Sequence, residues 1–319
     1  MVSNAALYLA GPGKRPLQPG KSYDVFLSAF NLSERVSNTF NRIEAKDKFW
    51  VIHNEYDFGE EELPRSAPTL TSESPVEADF ILDVLAKMNI PMQQGVKLCI
   101  DITGFMRPHL LFLMSYLKSL GITAFDLIYT EPSQYMRKAD TVFSSDVVEV
   151  RQINGYEGTH SVDMTNDVLI VGAGYDHDLV SHVISSKSNA KLLQLLSLPS
   201  LSADMYQESL IRLHKVADAP LHVPDEQLAY ASANDPFLTY LVLTEALQKL
   251  HTRQHSISNI YLSPLATKPQ AVGFAMFYLN HCAGAAASMI FPFANRYTKE
   301  TSRGVGRAWL YEIEFVAPN

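Results

Sequence analysis

The sequence predicts an α/β fold, and two observations lead to that prediction. Short apolar runs rich in strand-forming residues alternate with helical segments along the chain, which is the pattern of parallel sheets covered by helices on both faces. The chain has 319 residues, enough for two ordinary domains. We therefore predict two tandem Rossmann-like units, the first at residues 1–160 and the second at residues 161–319.

A third observation indicates that the two units are related by internal duplication. Asp24–Val25 lies at the first strand of the first half, and Asp167–Val168 lies at the corresponding strand of the second half. Toward the end of each half, Ile128–Tyr135 matches Ile290–Tyr297. The alternative interpretation is that all parallel α/β units resemble one another at this level of detail.

The first half begins with a predicted strand at Tyr23–Phe30, a run of apolar and aromatic residues. A helix is predicted over Ser33–Ile43, because serine is a favoured helix cap. Phe49–His53 is the second predicted strand, and Glu77–Met88 is an amphipathic helix. Between them, Asp57–Pro75 is acidic and then rich in Ser, Thr and Pro, which predicts a mobile surface loop.

The remaining elements follow the same alternation of strands and helices. A long helix is predicted from Asp235, with Asp235 or Asn234 as its cap. Further strands are predicted at Ala124–Pro132, Asp146–Ile153, Asp167–Val171, Ala190–Ser200, Ala287–Tyr297 and Arg307–Phe315, and a further helix at Ala203–Val216.

One unusual turn occurs in both halves, each time between an apolar strand and an apolar helix. The first is DITGFMRP, Asp101–Pro108, and the second is PLATKP, Pro264–Pro269. A helix N-terminus attracts anions through its exposed amides and its dipole. Arg107 and Lys268 add a cation at matching places, so the sequence predicts two anion-binding sites. The other turn residues predicted to contact the anion are Thr103, Gly104 and Thr267.

Duplicated units of this kind commonly pack about a two-fold axis, which predicts that both turns line one shared cleft. Such a cleft would suit a ligand that carries two phosphates. The alternative is that Arg107 and Lys268 merely stand near helix starts and face water.

Other turns at the carboxyl ends of strands supply further candidate ligand contacts. GAGYDHD follows the first strand of the second half, and its third fingerprint position is His177 instead of Gly, which argues against an NAD site. No metal is expected either, because adjacent side chains at a helix start do not converge. The candidates are Gly172, Gly174, Tyr175, Asp176 and His177 here, Ser33 and Arg35 in the equivalent first-half turn, and Glu131, Tyr135 and Arg296 after the last strands.

Composition excludes several classes of protein. The formal net charge of −8 argues against sequence-blind binding to nucleic acid. Two cysteines, both in apolar surroundings, do not make a disulfide framework or a zinc cluster. No signal peptide or membrane-spanning run is recognised, so a cytoplasmic protein without a cofactor is expected.

The layout resembles CARF sensor domains and SAVED domains, which consist of two fused CARF-like units. In CARF domains a strand ends in an Asp-Leu-Thr-Gly-Gly-Thr-Lys-like turn that opens a helix. Asp101–Pro108 is similar to that turn, with Arg107 at or near the basic position, whereas Pro264–Pro269 keeps Thr267 and Lys268 but has no Gly.

The resemblance implies a sensor of a nucleotide second messenger, such as a cyclic oligonucleotide, in bacterial antiviral defence. Sensors of this class usually carry a fused effector, which the predicted domains leave no room for, so a separate effector protein is implied. Two alternatives stay open. The same cleft could hydrolyse a nucleotide, with Asp176, His177 or Glu131 as acid or base, or the chain could be a scaffold subunit of a defence complex.

Overall fold

The computed structural model describes residues 13–135, 144–174, 176–201, 227–253, 256–297 and 302–315. The chain forms two compact units. The first unit draws on Gly13–Asp146 and Asn295–Asn319, and the second draws on Val147–Ala294. Each contains a mostly parallel sheet flanked by helices, so the predicted α/β class is confirmed.

The secondary structure of the described residues comprises the following elements. The strands are β1 Lys14–Pro16, β2 Ser22–Ala29, β3 Glu44–Val51, β4 Thr69–Leu70, β5 Leu98–Asp101, β6 Ala124–Thr130, β7 Gln134–Tyr135, β8 Ser144–Gln152, β9 Val168–Gly172, β10 Lys191–Ser197, β11 Leu228–Ala231, β12 Ile260–Pro264, β13 Ala287–Tyr297, β14 Ser302–Arg303 and β15 Ala308–Glu314. The α-helices are α1 Glu34–Arg42, α2 Glu77–Lys87, α3 Arg107–Ser119, α4 His177–Ser186, α5 Pro236–Arg253 and α6 Lys268–Phe277, the last continued by a π-helical turn at Tyr278–Cys282.

The sheet of the first unit has the strand order β1-β15-β6-β5-β2-β3-β4. Strands β4, β3, β2, β5 and β6 are parallel, whereas β15 pairs antiparallel with β6 and β1 pairs antiparallel with β15. All residues of β5 are buried, as expected of a strand covered on both faces. The carboxyl ends of the parallel strands therefore meet at one edge, where the turns leading to α1 and α3 also lie.

The sheet of the second unit has the order β11-β10-β9-β12-β13-β8, and its first five strands are parallel. The register also agrees with the first sheet. Val25 of β2 donates its N–H to the Lys97 carbonyl oxygen, and Val168 of β9 donates to that of Asn259. This common order is typical of doubly wound folds in general, so the duplication stays a prediction.

Helices α3 and α6 begin in the same way. Each follows the fourth parallel strand of its sheet, starts at a basic residue, Arg107 or Lys268, and has proline at its second position. Proline suits a helix start because its missing N–H has no partner there and its φ is already helical. The sequence-based prediction of these two helix starts is confirmed.

The core of the first unit shows why the predicted helix at Ser33–Ile43 forms. Val36, Phe40 and Ile43 recur at helical spacing and are buried against the sheet. The ring of Phe40 stacks on Trp50 of β3 with ring centroids 3.7 Å apart. The packing of this apolar face, more than helix propensity, holds α1 in place.

The structure departs from the sequence-based description in three places. The segment Asp57–Pro75, expected as a surface loop, contributes β4 to the sheet. Strand β3 ends at Val51, which puts His53 in the turn after it. The observed units also divide differently from the boundary at residue 160, because β8 belongs to the second sheet and the final strand, β15, belongs to the first. The predicted helix at Ala203–Val216 lies outside the described residues.

Short strands explain most of what the sequence pattern missed. Strands β1, β4 and β11 have two to four residues, too few for an alternating pattern to be recognised. Among the described helices, none combines the length and the apolar composition that crossing a membrane requires.

Candidate functional site

Two turns cross at the carboxyl edge of the first sheet, one after β2 and one after β5. A Cβ atom built on Gly104 would lie 1.8 Å from the carbonyl oxygen of Ala29. The two turns can therefore pass each other at this distance only if position 104 is glycine. The buried Asp101 fixes the same crossing, since its two oxygens accept hydrogen bonds from the Ser28 hydroxyl and the Thr103 N–H, both at 3.0 Å.

Thr103 ties the turn after β5 to the end of β6. Its hydroxyl oxygen accepts a hydrogen bond from the Thr130 N–H at 3.0 Å, and its side chain is buried. The contacts observed for Thr103 and Gly104 are thus internal to the first unit. Their predicted contact with an anion stays a prediction, and their observed role is to position the start of α3.

Arg35 lies in the first turn of α1 and is buried. Its Nε donates to the Ser33 hydroxyl at 3.0 Å, and its Nη1 donates to the Thr130 carbonyl oxygen at 2.9 Å. Both predicted residues of this turn, Ser33 and Arg35, therefore sit together at the carboxyl edge. The guanidinium is held in a fixed place there, which is what a preorganised cation site requires.

Arg107 is half-buried at the first position of α3. The positive charge of Arg107 lowers the pKa of the buried Tyr56 phenol, and so does the charge of Arg35. Burial is the main cause that raises the pKa of Tyr56 to about 12; Glu55 raises it further, and the two arginines oppose the shift. The hydroxyl of Tyr56 donates to the Gly104 carbonyl oxygen at 3.3 Å. Two cations predicted from separate turns are therefore close to one buried tyrosine.

Three residues that the sequence analysis did not select lie at the same edge. His53 follows β3, Glu55 lies in the 3₁₀ turn at Asn54–Tyr56, and His109 lies in the first turn of α3. The Nε2 atom of His109 is 3.6 Å from Oε1 of Glu55. His109 shares the first turn of α3 with Arg107, and the charges of Glu55 and Arg107 both act on Tyr56. The site therefore has acid–base groups as well as cations.

Two turns also cross in the second unit, but there the glycine lies in the turn after the first parallel strand, β9. A Cβ atom on Gly174, after β9, would lie 2.2 Å from the carbonyl oxygen of Leu265, after β12. In the first unit the glycine follows the fourth parallel strand, and in the second it follows the first. Because one glycine suffices where two turns cross, PLATKP needs none. Gly172 and Gly174 are not among the described glycines with positive φ. Their predicted contact with a ligand stays a prediction.

The turn before α6 is built around a capping box. The Thr267 hydroxyl accepts a hydrogen bond from the Gln270 N–H at 3.3 Å and donates to the Ala233 carbonyl oxygen. The side chain of Gln270 is fully buried. Lys268 follows Thr267 and is half-buried, so the predicted cation stands at the helix start, as in the first unit.

The acidic residues of GAGYDHD have a structural explanation. Asp176 is the N-cap of α4, and its Oδ1 accepts a hydrogen bond from the Leu179 N–H at 3.3 Å. His177 is the first residue of α4, with Nε2 3.4 Å from Oδ1 of Asp178. Tyr175 lies outside the described residues.

The candidates after the last strands of each half belong to different elements. Glu131 is buried; its Oε1 accepts a hydrogen bond from the indole N–H of Trp309 at 2.8 Å, and its Oε2 lies 3.8 Å from Nε of Arg307. Tyr135 belongs to β7 and Arg296 to β13, and their side chains lie outside the described part of the structure. Glu131 is thus engaged within the first unit.

The residues missed by sequence analysis left a weak signal. His53 and Glu55 follow an apolar run, and His109 comes two residues after the selected Arg107. The His53–Tyr56 segment was assigned partly to a strand, which hid the fact that it follows the carboxyl end of β3. That position is where ligands bind in open α/β sheets.

The sequence matches no protein-family model and no curated protein, and the fold matches no solved structure. The functional interpretation therefore depends on the geometry of the site. The resemblance to CARF and SAVED domains stays a prediction.

Proposed function

We propose that this chain is a sensor that binds a phosphate-bearing nucleotide at the carboxyl edge of its parallel sheets. One observation carries the proposal: Arg107, at the N-terminus of α3, and the buried Arg35, which donates to the Thr130 carbonyl oxygen, both lie at the carboxyl edge of the first sheet. Two guanidinium groups and a helix dipole at the same edge favour a doubly charged anion such as a phosphate.

The second unit supports a second phosphate position. Lys268 occupies the same place at the start of α6 that Arg107 occupies at the start of α3. A lysine acts there as a point charge, without the two-pronged geometry of arginine. We propose that Lys268 binds phosphate more weakly than Arg107 does.

The nucleotide class follows from the resemblance stated above. The ligand class that the resemblance implies is a nucleotide second messenger such as a cyclic oligonucleotide. In this proposal the chain is a regulatory subunit of a bacterial defence system and passes its signal to a separate effector protein. Ligand binding would change the balance between conformations of the sensor.

Hydrolysis of the nucleotide is a second candidate function, and one observation favours it. His53, Glu55 and His109 place two imidazoles and a carboxylate beside the proposed phosphate position. Such groups can transfer protons in phosphodiester cleavage, while Arg107 would stabilise developing charge.

Calorimetric titration with linear and cyclic nucleotides, followed by mass spectrometry of the recovered nucleotide, tests both functions. Each hydrogen bond to a charged group is worth about 1.5–3 kcal/mol, so Arg107→Ala and Lys268→Ala should each weaken binding by about ten- to a hundredfold. Arg42→Ala and Lys249→Ala remove exposed cations at other helix positions and should leave binding unchanged.

The outcomes separate the proposals. Recovery of intact nucleotide supports a sensor, and recovery of cleaved nucleotide supports the hydrolase. If no nucleotide binds, or if Arg107→Ala and Lys268→Ala bind like the wild type, both functions lose their support.

A further inference from the structure

Three potential metal ligands from two separate segments converge in the first unit. His53 and Glu55 come from the turn after β3, and His109 comes from the first turn of α3. One nitrogen or oxygen atom from each lies within 4.8 Å of those of the other two. Among the described residues, no other group of three such side chains comes together in this way.

The two histidines are fixed in place by the core. His53 is fully buried, and His109 is 4% exposed. The ring of Phe80, from α2, stacks on His53 with centroids 5.2 Å apart and meets His109 edge-on at 4.8 Å. Because these contacts restrict both imidazole rings, the ring nitrogens are held near one another before any ion arrives.

The protonation state of His53 suits a metal ligand. The Met106 N–H donates to its Nε2 at 3.3 Å, so this nitrogen presents a lone pair. A metal ion binds an imidazole through such an unprotonated nitrogen. The hydrogen bond from Met106 is long, and an ion could take its place.

The carboxylate of Glu55 provides a second, independent indication. Its Oε1 lies 3.6 Å from Nε2 of His109. Its Oε2 is buried and has no hydrogen-bond partner within the described part of the chain. A buried carboxylate oxygen without a partner is unfavourable, and a bound cation removes that penalty.

We infer that His53, Glu55 and His109 form a binding site for a divalent first-row transition metal ion, with zinc preferred. Two imidazoles and one carboxylate are the ligand set of many zinc sites that keep a fourth position open. Magnesium and calcium favour all-oxygen sites and fit this set poorly. The inference departs from the sequence-based expectation of no metal.

Small movements complete the site. The ligands of a tetrahedral zinc ion lie about 2.0–2.2 Å from the metal, and so about 3.4 Å from one another. The observed ligand atoms lie within 4.8 Å of one another, so the longest separation must close by up to about 1.4 Å. Glu55 can supply part of that movement, because its side chain is 22% exposed and is the least buried of the three.

The metal site does not depend on the proposed function. Only the role of the bound metal rests on that function: if the ligand is a nucleotide, the open position would accept a phosphate oxygen beside Arg107. Zinc binding and nucleotide binding can each be measured without the other, so failure of one leaves the other to be judged separately.

The test is titration of the chelator-treated full-length chain with Zn²⁺ against a chromophoric competitor, together with the visible spectrum of the Co²⁺ form. We expect one tightly bound ion per chain, cobalt bands typical of four or five ligands, and no displacement by excess Mg²⁺. Glu55→Gln and His109→Gln should weaken zinc binding at least tenfold. Glu73→Gln and His182→Gln, which replace exposed residues of the same types, should bind zinc like the wild type.

Several results would overturn the inference. These are the absence of tight zinc binding in the wild type, equal affinity in the cluster variants and the controls, or a cobalt spectrum of an ion ligated only by water. Circular dichroism checks the fold of each variant. If His109→Gln fails to fold, Glu55→Gln decides the matter, because Glu55 is the partly exposed member of the cluster.

Discussion

Replacing Gly104 or Gly174 with alanine tests whether the crossing turns position the site. An alanine Cβ would meet the Ala29 carbonyl oxygen at 1.8 Å in the first case and the Leu265 carbonyl oxygen at 2.2 Å in the second, whereas real Cβ contacts are essentially never below 3.0 Å. The turns must therefore separate by at least about 1.2 Å at position 104 and about 0.8 Å at position 174. Backbone is the obstacle in both, so a side-chain rotation cannot relieve the contact.

The expected loss of stability follows from these distances. Overpacking of a well-packed site costs about 1–3 kcal/mol, and replacement of glycine recovers about 0.4–1 kcal/mol by restricting the unfolded chain. The net loss should be about 2 kcal/mol or more for Gly104→Ala and about 1 kcal/mol for Gly174→Ala. At about 2–4 °C per kcal/mol, Gly104→Ala should lower the Tm by at least about 4 °C.

Gly172→Ala is the matched control, because its nearest contacts would be side-chain atoms, the ring edge of Phe274 at 3.0 Å and the Cβ of Ala266 at 3.6 Å. A movement of a few tenths of an ångström by that ring suffices, so the Tm should stay within about 2 °C of the wild type. Differential scanning calorimetry measures all three variants. Equal Tm values for Gly104→Ala, Gly174→Ala and Gly172→Ala would refute the crossing geometry.

Two further predictions concern a helix cap and a buried phenol. Asp235→Ala removes an oxygen that accepts hydrogen bonds from the N–H groups of Phe237 and Leu238 at 3.1 and 3.0 Å, so urea unfolding should show a loss of about 1 kcal/mol; a smaller effect than that of Asn234→Ala would contradict the assignment of the cap. The pKa of Tyr56 is raised to about 12 by burial, so its folded form keeps the proton to higher pH than the unfolded form with its ordinary value of 10.0. Its contribution to stability is present in full below pH 10 and is lost as the pH rises through about 12. The urea midpoint of Tyr56→Phe should accordingly fall less between pH 9 and pH 11 than that of the wild type, and parallel declines would contradict this role.

Much of the fold could be predicted from local sequence. Runs such as Tyr23–Phe30 bury both faces of a strand and are therefore apolar throughout, so β2 was placed within one residue at each end. Arg107-Pro108 and Lys268-Pro269 marked two helix starts, because proline is favourable there and unfavourable deeper in a helix. These features depend on interactions within a few residues, and a sequence displays them directly.

The candidate site could be predicted only in part. Arg35 and Arg107 were selected because each lies in the turn after a predicted strand, and the edge that such turns share follows from parallel topology. Their common neighbour, Tyr56, was not selected. The sequence-based assignment extended β3 to His53 and treated Asp57–Pro75, which contains β4, as a loop. A strand of two residues owes its existence to pairing with β3 and has no pattern of its own.

The sequence by itself determined the α/β class, the positions of most strands, and the cations at the starts of α3 and α6. Only the tertiary structure decided that His53, Glu55 and His109 meet, and which of two crossing turns in each unit carries the glycine. The physical reason is the range of the interactions. A strand or a helix start depends on interactions among a few neighbouring residues. The site depends on the order of strands in the sheet, which brings the end of β3 and the start of α3 together although they are far apart in sequence.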